Sequence, residues 1–219
     1  MIAIIQARNS SKRLPNKCMF FYKNKYVLER VINCIKKSKK IKRIIVATSK
    51  RKEDNSIERF CKKKNIKVYR GSLNNVLSRF YDILKTNKCN YFLRVCADSP
   101  FLDFKLINRL YSKIKKNRAD IFTNIFPKTF PSGQSVEIIK TNTFLKTYRK
   151  IKSSSDKEHV TRFFYKNSKN FRIFNYSDQK DYSNFSLSLD HKIDLIKYKK
   201  IINFTKDRYF EWKKILQLI

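Results

Sequence analysis

Apolar and polar positions along the chain follow two periods. Short β-branched runs at Ile2–Gln6, Arg43–Ala47, Lys67–Tyr69, Tyr91–Val95 and Ile121–Thr123 read as strands. The stretches Tyr26–Lys37, Asp54–Lys64, Asn74–Thr86 and Phe104–Lys116 instead place apolar residues three and four apart, as Val27, Val31, Ile32 and Ile35 do. They read as amphipathic crossover helices. Strands and helices alternating in this way predict an α/β fold with a mostly parallel central sheet flanked by helices.

Past Asn124 the alternation weakens. Phe126-Pro127 and Phe130-Pro131-Ser132-Gly133 read as an excursion loop before a strand at Ser135–Ile139. Helices are expected near Thr143–Lys150 and Lys157–Tyr165, strands near Phe171–Phe174 and Phe185–Ser188, and a helical tail from Ile193. No repeat and no linker rich in Pro, Gly or Ser divides the chain, and 219 residues suit one α/β domain able to hold a ligand cleft.

Composition adds a charge of +35, from 52 Lys and Arg against 17 Asp and Glu. Such a field draws anions and nucleotides toward the surface. The lysines are scattered through every element, as in Lys36-Lys37, Lys62-Lys63-Lys64, Lys115-Lys116 and Lys199-Lys200, whereas a nucleic-acid footprint clusters on one face. A general compositional drift toward Lys, Asn, Ile and Phe explains the charge as well, so charge alone assigns no function. The five cysteines show neither C-x-x-C pairing nor a disulfide framework, which predicts reduced thiols. With neither a signal-like opening nor an apolar stretch of membrane-spanning length, the expectation is a cytoplasmic protein.

The densest candidate chemistry is Gln6-Ala7-Arg8-Asn9-Ser10-Ser11-Lys12-Arg13-Leu14-Pro15-Asn16-Lys17, directly after the first strand. In an α/β fold this loop overlies the ligand crevice, where backbone amides cup phosphate oxygens and cations neutralise them. A triphosphate suits it; so does the bland reading of a solvated basic loop in a Lys-rich chain.

The pattern Ile5-Gln6-Ala7-Arg8-x-x-Ser11-x-Arg13-Leu14-Pro15-x-Lys17 closely resembles the signature of the cytidylyltransferase family, which includes CMP-sugar-acid synthetases of the CMP-KDO and CMP-sialic acid type and the SpsF-type spore-coat polysaccharide proteins. The resemblance continues through Val46-Ala47-Thr48-Ser49, Arg70-Gly71-Ser72-x-x-Asn75-Val76-Leu77-x-Arg79-Phe80-Tyr81 and Arg94-Val95-x-x-Asp98-x-Pro100-x-x-Asp103. Further on come Pro131-x-Gly133-x-x-Val136-Glu137, Glu158-His159-Val160-Thr161 and Leu187-x-Leu189-Asp190-x-x-x-Asp194-Leu195, so it covers residue 1 to about 200.

The resemblance implies a single-domain, Rossmann-like nucleotide-diphospho-sugar transferase (GT-A-like) fold that transfers CMP from CTP to a small acidic, sugar-like acceptor. On that reading Arg8, Arg13 and Lys17 serve the triphosphate, with Ala7, Ser11, Arg70, Ser72 and Arg79 around the nucleotide. Asp98 and Asp190 would hold Mg²⁺, and Gly133, Glu137, Glu158 and His159 would meet the acceptor. On the residues alone, Asp98 also reads as a turn or cap and Asp190 as the N-cap of the last long helix. Gly71 reads as a position needing positive φ or a close ligand approach, and Gly133 equally as a plain turn.

Two departures stand out. Ser10 and Asn16 occupy positions where the family's loop usually has glycine, and Asn75 replaces a usual aspartate. His159 and His191 lack metal-ligand spacing, so zinc is not expected. Homodimers are common among relatives; Tyr209, Phe210 and Trp212 could serve one or pack against the sheet. A same-fold enzyme using another nucleoside triphosphate, and a non-catalytic nucleic-acid binder, remain the alternatives.

Overall fold

A computed structural model describes all residues from Met1 to Ile219. The strands are β1 (Ile2–Gln6), β2 (Phe21–Tyr22), β3 (Lys25–Tyr26), β4 (Arg43–Ser49), β5 (Lys67–Gly71), β6 (Tyr91–Cys96), β7 (Ile121–Thr123), β8 (Glu137–Lys140) and β9 (Ile173–Asn175). The helices are α1 (Val27–Lys36), α2 (Asn55–Lys63), α3 (Val76–Thr86), α4 (Phe104–Lys113), α5 (Thr141–Tyr148), α6 (Ser154–Glu158), α7 (Arg162–Lys166), α8 (Lys192–Thr205) and α9 (Trp212–Leu216).

Seven strands form one sheet in the order β5-β4-β1-β6-β8-β7-β9. β5, β4, β1 and β6 run parallel, and β8 runs antiparallel to both of its neighbours. The predicted α/β architecture is therefore present. The two-residue period of β1 divides its side chains between the two faces of the sheet. Ala3 and Ile5 join a core with α1, α2, α4 and α9; Ile2 and Ile4 join a second core with α3, α5 and α7. Both faces are thus covered, which is why β1 carries an unbroken apolar run rather than an alternating one.

Four expectations differ from the structure. Lys157–Tyr165 forms α6 and α7 rather than one helix, because His159 leaves the helical region at φ −101° and ψ 84°. Phe185–Ser188 makes only an isolated bridge, Ser132 to Ser186, in place of a strand. The tail splits between α8 and α9, since Lys206 and Asp207 adopt φ 46° and 60° and reverse the chain. A small hairpin, β2–β3, went unforeseen; its turn residues Lys23 and Asn24 lie at φ 45° and 60°, the mirror-image turn that suits hairpin twist.

The late aromatics pack inward. Trp212 is buried, 5.4 Å from the Phe130 ring and 5.1 Å from Tyr182. Tyr209 donates its hydroxyl to Asp103 Oδ1 at 2.7 Å. All five cysteines are free, and no helix is long and apolar enough to cross a membrane.

Candidate active site

Strand order reverses at β1: β4 and β5 lie to one side of it and β6 to the other. In an open α/β sheet, ligands bind beyond the carboxyl ends of the strands at such a point. The loop Ala7–Asn16 leaves β1 there, and its shape is fixed from both ends. Asn16 sits at φ 58° and ψ 18°, a left-handed conformation that asparagine tolerates in place of glycine, and its amide donates to the Asn9 carbonyl at 2.9 Å.

At the other end, the buried carboxylate of Asp54 receives the Asn9 amide at 2.7 Å on Oδ1. On Oδ2 it receives the Ser49 amide at 3.1 Å and the Ser49 hydroxyl at 2.5 Å. Asn9 Nδ2 donates in turn to the Glu53 carbonyl and to Ser56 Oγ, at 2.7 and 2.9 Å. These bonds pin the loop to the junction of β4 and α2. Sequence reasoning passes over both residues, because an aspartate ahead of a helix reads as an ordinary cap; Asp54 makes no side-chain cap bond and reaches the loop instead.

The pinned loop aims Lys17 between two carboxylates. Its ammonium donates to Asp98 Oδ2 at 2.6 Å and to Asp190 Oδ1 at 2.9 Å. Arg13 approaches the same Asp190 oxygen at 3.3 Å, and Ser188 Oγ donates to the other at 3.2 Å. Burial works against the charge on Lys17, but the charge of Asp98 and hydrogen bonds to both aspartates outweigh it and hold the ammonium pKa above its ordinary value. Burial likewise works against Asp190; the hydrogen bond and charge of Lys17, then the charge of Arg13, hold its pKa below the usual carboxylate range.

Asp190 does not cap α8. That task falls to Asp194, whose Oδ2 accepts the amides of Asp190 and His191 at 2.9 and 2.8 Å and leaves the Asp190 carboxylate turned to Lys17. Arg8 pairs with Glu158 at 3.0 Å, joining the loop to the end of α6.

A cleft of about 760 Å³ opens over these groups. Among the residues singled out from the sequence it is lined by Ala7, Arg8, Ser11, Arg13, Lys17, Arg79, Asp98, Glu158, His159 and Asp190. Arg70, Ser72, Gly133 and Glu137 lie outside its lining. Arg70 is held by Glu58 at 2.5 Å and by the Ser49 and Arg51 carbonyls at 2.9 and 2.8 Å.

Ser72 contributes its carbonyl to Arg79 Nε at 2.6 Å, while Arg79 Nη2 donates to the Leu73 carbonyl at 2.8 Å. Arg79 therefore shapes the segment that carries Leu73 and Asn74 into the cleft; its burial lowers its pKa to about 10. Asn75 takes up capping of α3 in place of a carboxylate, accepting the Ser78 amide at 3.0 Å.

The two glycines resolve differently. Gly71 does not have positive φ; a Cβ there would lie 3.0 Å from Arg79 Cγ and from Tyr69 Cε1, so side chains approach its backbone closely. Gly133, at φ 88°, packs against the backbone of Leu187 and Ser188 in a turn. Glu137 is fully buried and pairs with Arg94 at 2.6 Å, with Tyr165 donating to its other oxygen at 2.8 Å. Burial drives the Tyr165 hydroxyl pKa well above its ordinary value, so it stays a donor.

The family model for cytidylyltransferases matches residues 2–218. The chain belongs to the cytidylyltransferase family. Within it, the chain is 36% identical over 174 residues to the uncharacterized protein MJ1063 of Methanocaldococcus jannaschii, covering 80% of this chain and 70% of that one. It is 29% identical over 169 residues to the spore coat polysaccharide biosynthesis protein SpsF of Bacillus subtilis, covering 74% and 69%. Its structure superposes on a cytidylyltransferase from Leptospira borgpetersenii serovar Hardjo-bovis with a TM-score of 0.92 at 26% identity, covering 100% of this chain and 93% of that one.

Asp98 and Asp190 fit a divalent cation by chemistry. Each turns one carboxylate oxygen to the Lys17 ammonium, and together they offer an all-oxygen donor set of the kind magnesium takes alongside water and phosphate. His159 belongs also to a second cleft, of about 540 Å³, lined by Arg94, Phe126, Arg162, Tyr165 and Lys166. There Phe126 and Tyr165 stack at 5.0 Å.

Proposed function

We propose that the protein transfers CMP from CTP to a small acidic, sugar-like acceptor, releasing pyrophosphate, in the assembly of a surface polysaccharide or glycan. The reading rests on one observation: the basic loop after β1 meets Asp98 and Asp190, distant in sequence, in a single cleft at the switch point of the sheet. Membership of the cytidylyltransferase family and the similarity to a polysaccharide biosynthesis protein support it.

In this mechanism Arg8, Arg13 and Lys17 bind the triphosphate, Ala7 and Ser11 line its path, and Arg79 holds the Ser72–Asn74 segment against the nucleoside. Arg70 and Ser72 act from behind that segment. An acceptor oxygen attacks the α-phosphorus, a new P–O bond forms, and the bond to the bridging oxygen of pyrophosphate breaks. Charge grows on the equatorial and departing oxygens, where fixed cations lower the barrier. Magnesium held by Asp98 and Asp190 would neutralise part of that charge.

Glu158 and His159, shared between the clefts or beside them, meet the acceptor. The cations Arg162 and Lys166 and the aromatic stack of the second cleft suit an acid group and a sugar face. Glu137 and Gly133 support that region from behind, through Arg94 and through the turn.

The test is pyrophosphate release from each of the four nucleoside triphosphates with magnesium, across a panel of acidic and neutral sugars. CTP with an acidic sugar should turn over, and Lys17→Ala and Asp98→Ala should each lose about a hundredfold or more. Equal turnover with another triphosphate, or wild-type rates in both variants, would sink the assignment.

A further inference from the structure

The outer face of α8 carries a combination that the cleft chemistry does not use. Tyr198, Ile201 and Ile202 are buried against the domain, while Ile193, Ile196 and Phe204 are 57, 64 and 61% exposed, the Phe204 ring meeting Phe210 edge-on at 6.2 Å. Only seven large hydrophobic side chains are exposed on the whole molecule, so three of them along one helix form a patch rather than a scatter. Lys197 and Lys200 lie between the three on the same face, Lys192 and Lys199 flank it, all exposed, and Lys206 follows the last turn. Lys199 is steadied at 5.8 Å from the ring centroids of Phe20 and Tyr22.

The single acid of α8, Asp194, is turned inward to cap the helix. No carboxylate of the helix therefore interrupts its exposed face. That makes the face a surface of mixed kind: apolar side chains to be removed from water, interleaved with uncompensated positive charge. Its occupant must offer an apolar layer and negative charge together. A second copy of the chain would bring another +35, and like charge opposes such a pairing. A duplex supplies phosphates but keeps its base faces stacked inside, with no layer to receive Ile196 and Phe204.

We propose that α8 docks the protein peripherally on an anionic lipid bilayer, with Ile193, Ile196 and Phe204 entering the headgroup boundary and the lysines contacting lipid phosphates. Because Asp190 and His191 lead directly into α8, docking sets one wall of the cleft beside the bilayer.

Co-sedimentation of the full chain with phosphatidylcholine vesicles, with and without phosphatidylglycerol, tests this. Binding should require phosphatidylglycerol and weaken as salt rises. Ile196→Ser with Phe204→Ser, which leaves the charge unchanged, should lower partitioning at least about tenfold, and Lys197→Glu with Lys200→Glu comparably. Lys115→Glu with Lys116→Glu, the same charge change at the far end of α4, should cost less than about threefold. Thermal melts that overlay wild type show that the variants fold.

Results of three kinds would overturn the proposal. The first is wild type ignoring the anionic vesicles; the second is the apolar pair of substitutions leaving partitioning intact, or both lysine pairs costing the same. The third is a dimer in solution that the apolar substitutions dissolve, which would give the face to a second copy.

Discussion

Replacing Lys17 by methionine keeps much of the side chain's bulk and removes the one charge that separates Asp98 from Asp190. Both carboxylate oxygens lie within 2.9 Å of the same nitrogen, and Lys17 is 14% exposed against 23% and 31% for its partners. The oxygens therefore lie no more than about 5.5 Å apart, and at an effective dielectric of about 20 two unit charges at that distance repel by about 3 kcal/mol. Solvent at the cleft mouth screens part of this, leaving a net loss of about 2 kcal/mol at neutral pH. For a domain of this size that lowers Tm by roughly 4–8 °C.

The dependence on pH reverses between the two proteins. In wild type, the depressed pKa of Asp190 contributes stability that is present above the unfolded value of about 3.9 and is lost as pH falls through the folded value. The raised pKa of Lys17 contributes stability below about 10.4 that is lost as pH rises through its folded value. In Lys17→Met the two carboxylates face each other with only Arg13 beside Asp190, so their repulsion is present at neutral pH and relieved as acid protonates one of them.

Melting curves by scanning fluorimetry between about pH 7 and 5 should thus show the variant gaining on wild type as pH falls. Added magnesium should raise the variant's Tm more than wild type's, since the ion meets two carboxylates with no ammonium in competition. A variant that melts with wild type at pH 7, or runs parallel to it on acidification, would refute this account of the site.

Two further substitutions probe the frame. Gly133→Ala forces a side chain into φ 88°, with its Cβ 2.8 Å from Leu187 C and Ser188 N, and should cost at least about 1–3 kcal/mol in urea unfolding. Glu137→Leu strands the largely buried Arg94 and should cost about 3–5 kcal/mol, while adding Arg94→Met should recover a large part of that loss.

The parallel half of the fold is legible because its strands are buried on both faces and its helices repeat at three and four. Ile2–Gln6 matches its strand to the residue. Where backbone conformation rather than side-chain period decides, the pattern is silent. The left-handed pair Lys23-Asn24 makes a hairpin, and Lys206-Asp207 breaks a helix, at residues that carry no apolar signal. Phe185–Ser188 looks like a strand because its neighbours are apolar, yet beyond a local turn from Phe185 N to Tyr182 O at 3.0 Å its backbone bonds reach only Ser132: Ser132 N to Phe185 O at 2.9 Å and Leu187 N to Ser132 O at 2.8 Å.

Within the site, the residue types of Arg8, Lys17, Asp98 and Asp190 could be read from the family pattern. The clamp of Asn9 by Asp54 could not, because its 45-residue separation leaves no local spacing to recognise.

Although the molecule carries +35, most cations of its cleft are already paired: Arg8 is answered by Glu158, and Lys17 and Arg13 by Asp98 and Asp190, leaving Lys12 and Arg79 without a carboxylate partner. An arriving anion thus displaces internal partners instead of filling a bare positive hollow. Each cation it wins frees a carboxylate that needs a new companion, so the pocket favours guests that carry their own countercharge over polyanions in general.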